Sequence, residues 1–397
     1  MIKVYSATCL LFACLTLANA KTINKLSWKL EGSIGGGFES NIFKGPELFE
    51  EESLPTSTQS ADTIDPRAGS GFVITRLQAA PRFRINPRNC LKARYTADFT
   101  PFFEDRNINE YDHDGYLEWE GKTIKKLFFS VRARLKYIQQ RDSDKYIYGG
   151  LEKFIEPSFK PDLTFKINKQ VSLKTEYMFR YKNYIIRQEN DSTSVSDEGG
   201  HDFTEHRITL ASPVMVTGQK SGPELVPEFS FWRRAYGDYP NLHADSIEYN
   251  GFPSRLYHYT TLQMKYKQSF PFIKPSFSLR MRWRNDVQGG YYNYYEYRLK
   301  GGCDISVGKL TLLEMDVSWR DRSYKERTAA VPGPNPELFW KNLDMGFGVS
   351  RRLIKKVNLK LEYDYRFRDT NTGYLRWKSD RDYKDHIITA SIDFRIF

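Results

Sequence analysis

Cysteine is scarce in this chain: 397 residues hold four, and Cys9 and Cys14 fall in the apolar N-terminal stretch. The other two, Cys90 and Cys303, lie far apart in sequence, which argues against a disulfide framework. Long apolar runs are missing too. Beyond the N-terminus nothing approaches the ~18 apolar residues a membrane-crossing helix needs, so a helical membrane protein is excluded. No G-x-S-x-G, H-E-x-x-H or C-x-x-C pattern occurs. His113-Asp114, His201-Asp202 and Asp385-His386 are tempting doublets, but neighbours on a strand point to opposite faces and cannot pair directly. The expectation is a protein without catalytic activity, cofactor or metal. Acidic residues trail basic ones, 49 to 60, leaving a formal charge of +11. The basic residues form no tail or basic helix but alternate with apolar ones, so no nucleic-acid partner is expected.

What is present begins with a leader. Lys3, apolar Val4 to Leu17 and the small-x-small Ala18-Asn19-Ala20 read as a Sec-type signal peptide over 1–20. Cys14 after Leu11-Phe12-Ala13 is a poor lipidation box. Residues 21–397 then form one domain.

Throughout that domain runs a period of two. Val357, Leu359, Leu361, Tyr363, Tyr365 and Phe367 alternate with Asn358, Lys360, Glu362, Asp364, Arg366 and Arg368. Ile273, Phe277, Leu279, Met281 and Trp283 alternate with Lys274, Ser276, Ser278, Arg280, Arg282 and Arg284. Such alternation marks strands with one apolar and one polar face. Short turns at Asn86-Pro87-Arg88, Lys122–Lys126, Asn168-Lys169-Gln170, Gly218–Gly222, Ser269–Phe272, Gly308-Lys309 and Arg352–Lys356 take turns with longer connections. Those longer ones are Asp105–Asp112, Asp142–Gly149, Ile185–Asp202, Asp238–Arg255, Asp286–Tyr291, Lys325–Pro336 and Thr370–Asp385, and residues 41–70 form a long first one. About sixteen strands result, within a range of 14–18. With 27% charged and 15% aromatic residues, the composition alone suggests a soluble protein. A large membrane barrel reconciles it, because its inward residues are polar and each strand's signal is weak. Pro81, Pro101, Pro157, Pro161, Pro213, Pro227 and Pro275 fall inside these strands, where each removes a ladder donor.

The last twelve residues, HIITASIDFRIF, put Ile388, Ala390, Ile392, Phe394 and Ile396 on one face and end at Phe397. An amphipathic final strand with a terminal Phe resembles the closing strand of Gram-negative outer-membrane β-barrels. The GGGFESNIF run at Gly35–Phe43 resembles their first strand and its exit. The resemblance implies an all-β transmembrane antiparallel barrel with porin-like character. Short periplasmic turns, longer outer loops and outer-membrane location go with it. So do outer-membrane lipid, lipopolysaccharide and the barrel assembly machinery as partners.

If the apolar face meets lipid, the alternate face lines a lumen. Arg82, Arg84, Arg94, Arg132, Arg134, Lys136, Arg280, Arg282, Arg284, Lys360 and Arg366 then become pore-lining candidates. Glu118 and Glu120 are expected near Arg132 and Arg134, and Glu314 and Asp316 near Lys300 and Arg298. Glu47, Glu50, Glu51 and Glu52 make the first loop acidic. They are either an exposed run or an inward-folding constriction, a role for which the third loop, Asp142–Gly149, is too short. Trp28, Trp119, Trp283, Trp319, Tyr365 and Phe367 suit the interfacial girdles, and the Tyr291–Tyr297 run suits either a girdle or a sugar-stacking mouth. The functional expectation is passive diffusion of small hydrophilic solutes, with anions preferred. An exporter or secretion barrel, or a non-conducting structural or adhesion barrel, is the alternative. A homo-oligomer would need a flatter, less aromatic wall on a few strands, and the sequence leaves this open.

Overall fold

A computed structural model describes residues 26–40, 69–103, 109–141, 151–187, 202–216, 222–240, 254–290, 292–328, 337–370 and 383–396. Residues 1–20, expected to be a signal peptide, nearly all of the first connection with its four glutamates, and Phe397 lie outside these residues. The described residues form sixteen antiparallel strands in one closed sheet. In chain order these are β1 (Leu26–Ser27 and Leu30–Glu39), β2 (Ser70–Ala79 and Arg82–Asn86), β3 (Asn89–Thr100), β4 (Glu110–Ile124), β5 (Leu127–Arg141) and β6 (Leu151–Lys166). Next come β7 (Ser172–Arg187), β8 (Phe203–Ala211 and Val214–Met215), β9 (Glu224–Pro240), β10 (Ser254–Lys267) and β11 (Ile273–Asp286). The last five are β12 (Tyr294–Val307), β13 (Thr311–Thr328), β14 (Glu337–Ile354), β15 (Val357–Thr370) and β16 (Tyr383–Arg395). β16 pairs with β1 from Ile387↔Glu39 to Arg395↔Glu31, so the sheet closes without an edge.

The prolines act where a donor is lost. β2 and β8 are broken at Pro81 and Pro213, and the β6–β7 ladder skips Glu156-Pro157 and Lys160-Pro161. The β5 side of β6 pairs without a gap. At the seam Gly37 is needed for space: a Cβ there would lie 2.1 Å from the Ile388 carbonyl oxygen and 2.7 Å from Phe72 Cζ. Strands also reach further toward the long connections than the apolar alternation predicts. Glu110–Asp112, Lys325–Thr328, Thr370 and Tyr383–Asp385 all lie in strands, because backbone pairing continues after the outward residues turn polar.

The two faces differ sharply. Leu117, Leu135 and Ile208 on the outside are 51%, 55% and 51% exposed, while Glu205, Glu296 and Asp385 on the inside are 1% exposed or less. A soluble protein does not leave an apolar band like this in water, where each large side chain forgoes about 1.5–3 kcal/mol of burial. Two of the histidine doublets, His113-Asp114 and Asp385-His386, split across this wall, and His201 lies outside the described residues. His113 turns outward to the Tyr95 hydroxyl at 2.8 Å, while Asp114 turns inward to Arg134. His206 and His386 likewise meet Tyr177 and Tyr363, at 2.7 and 2.8 Å. Each of the three is the fourth residue of its strand from the long-connection end, a level suited to amphipathic rings at a membrane interface. Cys90 and Cys303 are both free thiols.

Candidate functional site

The inward face begins with simple cross-strand neutralisation on β3–β5. Register places Lys92 opposite Glu118 and Glu118 opposite Arg132. Arg132 donates to one Glu118 oxygen through Nε at 2.9 Å and Nη2 at 2.6 Å. Arg134 forks onto both oxygens of Asp114, at 2.6 Å each, and Arg94 stands 3.8 Å from the same carboxylate. Lys92 bonds Glu120. Arg94 and Arg132 also lie over the Tyr116 ring, at 4.8 and 4.7 Å. Lys160 and Lys174 hold Glu176 on β6–β7, at 2.9 and 3.3 Å.

From β7 to β13 the wall changes character. Glu205 has Arg180 directly across on β7 and Arg234 directly across on β9. Arg180 donates at 2.9 Å, Arg234 at 3.0 and 2.7 Å, and Arg207 reaches the other oxygen at 3.0 Å. Glu296 repeats the arrangement between Arg282 on β11 and Arg322 on β13. Arg322 donates to it at 3.2 and 2.7 Å and Arg280 at 2.7 Å, while Arg282 stands 3.6 Å away. Both carboxylates have fully buried side chains and each faces three guanidinium groups. Even the flanking contact recurs, since Arg234 donates to the Tyr236 hydroxyl and Arg322 to that of Tyr324, both at 3.5 Å.

Aromatic rings fill the space between these two knots. Trp232, Tyr257, Tyr259, Tyr292, Tyr294, Tyr324 and Leu338 make one buried cluster, with Tyr236 and Trp340 against it. Arginines lie over the rings in succession: Arg234 over Phe203 at 4.4 Å, Arg284 over Tyr257 and Tyr294 at 4.6 and 4.3 Å, and Arg322 over Tyr294 at 4.5 Å. Arg368 continues the belt onto Trp340 and Tyr383, at 5.3 and 5.0 Å. A guanidinium dehydrates more readily than an ammonium and stacks on π faces, which lets so many sit together with little solvent.

No protein-family model and no curated protein matches this sequence. Among solved structures it is similar to OccAB1 of Acinetobacter baumannii, at 8% identity and TM-score 0.50, over 96% of this chain and 99% of that one. An anion-selective porin from Comamonas acidovorans aligns at 10% identity and TM-score 0.46, over 94% of this chain and all of that one. The chain has the fold of a porin-like outer-membrane β-barrel. At such identities the likeness extends to fold alone.

Within this barrel the eleven basic residues singled out from sequence all fall at inward register positions, but they do not form one site. Arg94, Arg132 and Arg134 are neutralised in the β3–β5 arc, where Lys136 sits opposite Asp114. Arg82 and Arg84 are exposed near the short-turn end, Arg82 donating to Cys90 Sγ at 3.0 Å. Lys360 bonds Glu362 at 2.6 Å, and Arg366 faces Asp344 and Asp385 in register. Only Arg280, Arg282 and Arg284 join the belt. The acidic first-loop residues Glu47, Glu50, Glu51 and Glu52 lie outside the described residues. Glu118 meets Arg132 as expected, but Glu120 turns to Lys92 and Arg134 to Asp114. Glu314 and Asp316 oppose Asp304 and Gly302 rather than Lys300 and Arg298, and Arg298 bonds Ser318 at 3.0 Å.

Sequence reasoning missed Glu205, Glu296, Arg180, Arg207, Arg234, Arg322, Arg368 and the inward rings. A signal existed. Phe203-x-Glu205-x-Arg207 and Tyr294-x-Glu296-x-Arg298 share an aromatic-x-Glu-x-Arg pattern, each followed one strand later by Arg-x-Tyr, at 234–236 and 322–324. The Tyr291–Tyr297 run divides between the faces: Tyr292 and Tyr294 are buried inside and Tyr297 is exposed outside.

Proposed function

We propose that this chain is an outer-membrane channel for passive diffusion of small hydrophilic solutes, with anions preferred. One observation carries the reading: on β7–β13 six arginines share two buried glutamates, so the inward wall keeps a cationic surplus. In a low-dielectric passage such a surplus raises the local concentration of anions and excludes cations. Residues 1–20 serve as the export signal, and residues 21–397 as the barrel that the assembly machinery inserts among outer-membrane lipid and lipopolysaccharide. The test is the reversal potential of the refolded mature chain in a planar bilayer under a KCl gradient. Chloride permeability above that of potassium is expected. Cation preference would overturn the reading, and no conductance from a properly inserted barrel would turn it toward a structural or partner-gated barrel.

A further inference from the structure

Between the two knots lies a stretch of wall whose donors are not used up. Glu205 is held by Arg180 and twice by Arg234, and Glu296 by Arg280 and twice by Arg322, before Arg207 and Arg282 are counted. Arg207 gives one Nη to the second Glu205 oxygen at 3.0 Å and Arg282 stands 3.6 Å from Glu296, and both approach one indole: Arg207 at 4.5 Å and Arg282 at 5.0 Å from the Trp232 ring centre. The Nε of each is buried without a partner among the described residues. So are the Trp232 indole nitrogen and the Thr261 hydroxyl, on side chains only 3% and 4% exposed. Register puts these residues together: Arg207 opposes Trp232, and Thr261 opposes Arg282. The four consecutive strands β8–β11 therefore each bring one unused polar group to the same inward patch.

The unused groups of that patch are all donors, although Glu205 and Glu296 border it through Arg207 and Arg282. Guanidinium and indole N–H groups can only donate, and the hydroxyl is free to donate. Several separately placed N–H and O–H donors suit the spread oxygens of a carboxylate or phosphate group better than a single spherical halide. We propose that Arg207, Trp232, Thr261 and Arg282 bind an oxyanion, the carboxylate or phosphate group of a small solute. The proposal rests on the reading of the lumen as a solute path, but binding can be measured without conduction.

The experiment is calorimetric titration of inorganic phosphate, and separately of acetate, into the refolded, heat-modifiable barrel in detergent. Saturable binding of at least one of the two is expected. It should weaken at least about tenfold in the Arg207→Gln/Arg282→Gln double variant, as loss of charge-assisted hydrogen bonds implies, and severalfold in Thr261→Val. Lys309→Gln, in a turn at the other mouth, should leave it unchanged. Absence of saturable binding for both anions, or undiminished affinity in the double variant, overturns the site. Should the double variant fail to fold, Thr261→Val and Arg282→Lys decide the matter, and undiminished affinity in both counts against the site. An anion-selective conductance without oxyanion binding removes the site and keeps the channel. Binding by a barrel that does not conduct removes the channel and keeps the site.

Discussion

Tyr116 and Trp232 hold matching places on different arcs of the lumen, each an inward ring with two guanidinium groups around it. Arg94 and Arg132 stand 4.8 and 4.7 Å from the first ring centre, Arg207 and Arg282 4.5 and 5.0 Å from the second. What differs is the neutralisation. Around Tyr116 basic and acidic strands alternate, so Arg132 has Glu118, Arg134 has Asp114 and Lys92 has Glu120. Around Trp232 the acidic strand is flanked by basic strands as β4 is, but it brings the single carboxylate of Glu205 where β4 brings Asp114, Glu118 and Glu120, and it carries its own arginine, so that carboxylate serves three cations. The first arc spends its charges on cohesion. The second holds together through its glutamates yet leaves a field in the lumen.

The largest expected effect follows from removing the shared carboxylate. Glu296→Gln leaves three guanidinium groups, 17–21% exposed, facing one another without a counter-charge. Breaking a buried ion pair from one side costs about 3–5 kcal/mol, and that loss is expected here. Glu118→Gln leaves Arg132 one-third exposed and able to reach water, so about 1–2 kcal/mol is expected. Urea unfolding of the two variants in lipid vesicles makes the comparison. Equal losses would mean that the two arcs are not different in kind.

Much of this wall was legible in the sequence, and the rest was hidden for identifiable reasons. Strict alternation such as Arg280, Arg282, Arg284 against Leu279, Met281, Trp283 fixes facing without knowledge of neighbours. The two classes of connection gave the strand number. Partners are another matter, because they depend on the register between strands, which alternation does not specify. Glu314 faces Asp304 on that account, and Asp316 meets Lys300 only along the diagonal. The belt was hidden by degeneracy: in Phe231-Trp232-Arg233-Arg234 both faces read aromatic then basic, so the pattern does not say which pair points inward. The backbone pairing of Arg234 with Glu205 settles it.

A smaller effect sharpens the comparison through the rings. Trp232→Leu keeps an apolar side chain but removes the π face that Arg207 and Arg282 share, in a site 3% exposed. About 1–2 kcal/mol of lost stability is expected, because cation–π attraction strengthens as the site is desolvated. Tyr116→Leu removes the equivalent face in the paired arc, where the ring is only partly buried and its arginines are about a third exposed, so about 0.5–1 kcal/mol is expected. The same vesicle assay reads both, and a larger loss for Tyr116→Leu would reverse the ranking of the arcs.

The finest distinction is in salt. Raising KCl from about 0.1 to 1 M shortens the screening length from ~10 to ~3 Å, which weakens interactions between solvent-exposed charges more than between buried ones. Arg134 is 33% exposed and Arg322 17%, while their carboxylate partners are 12% and 0% exposed. The stability cost of Arg134→Gln is therefore expected to shrink by a few tenths of a kcal/mol at high salt, and that of Arg322→Gln to hold. A parallel decline would show that water and ions reach both arcs alike. Screening of the belt would then have to abolish the anion preference as well. If only the paired arc responds, the proposed anion preference should persist at salt concentrations where long-range steering at the barrel mouth has vanished, because buried charges are screened less than exposed ones.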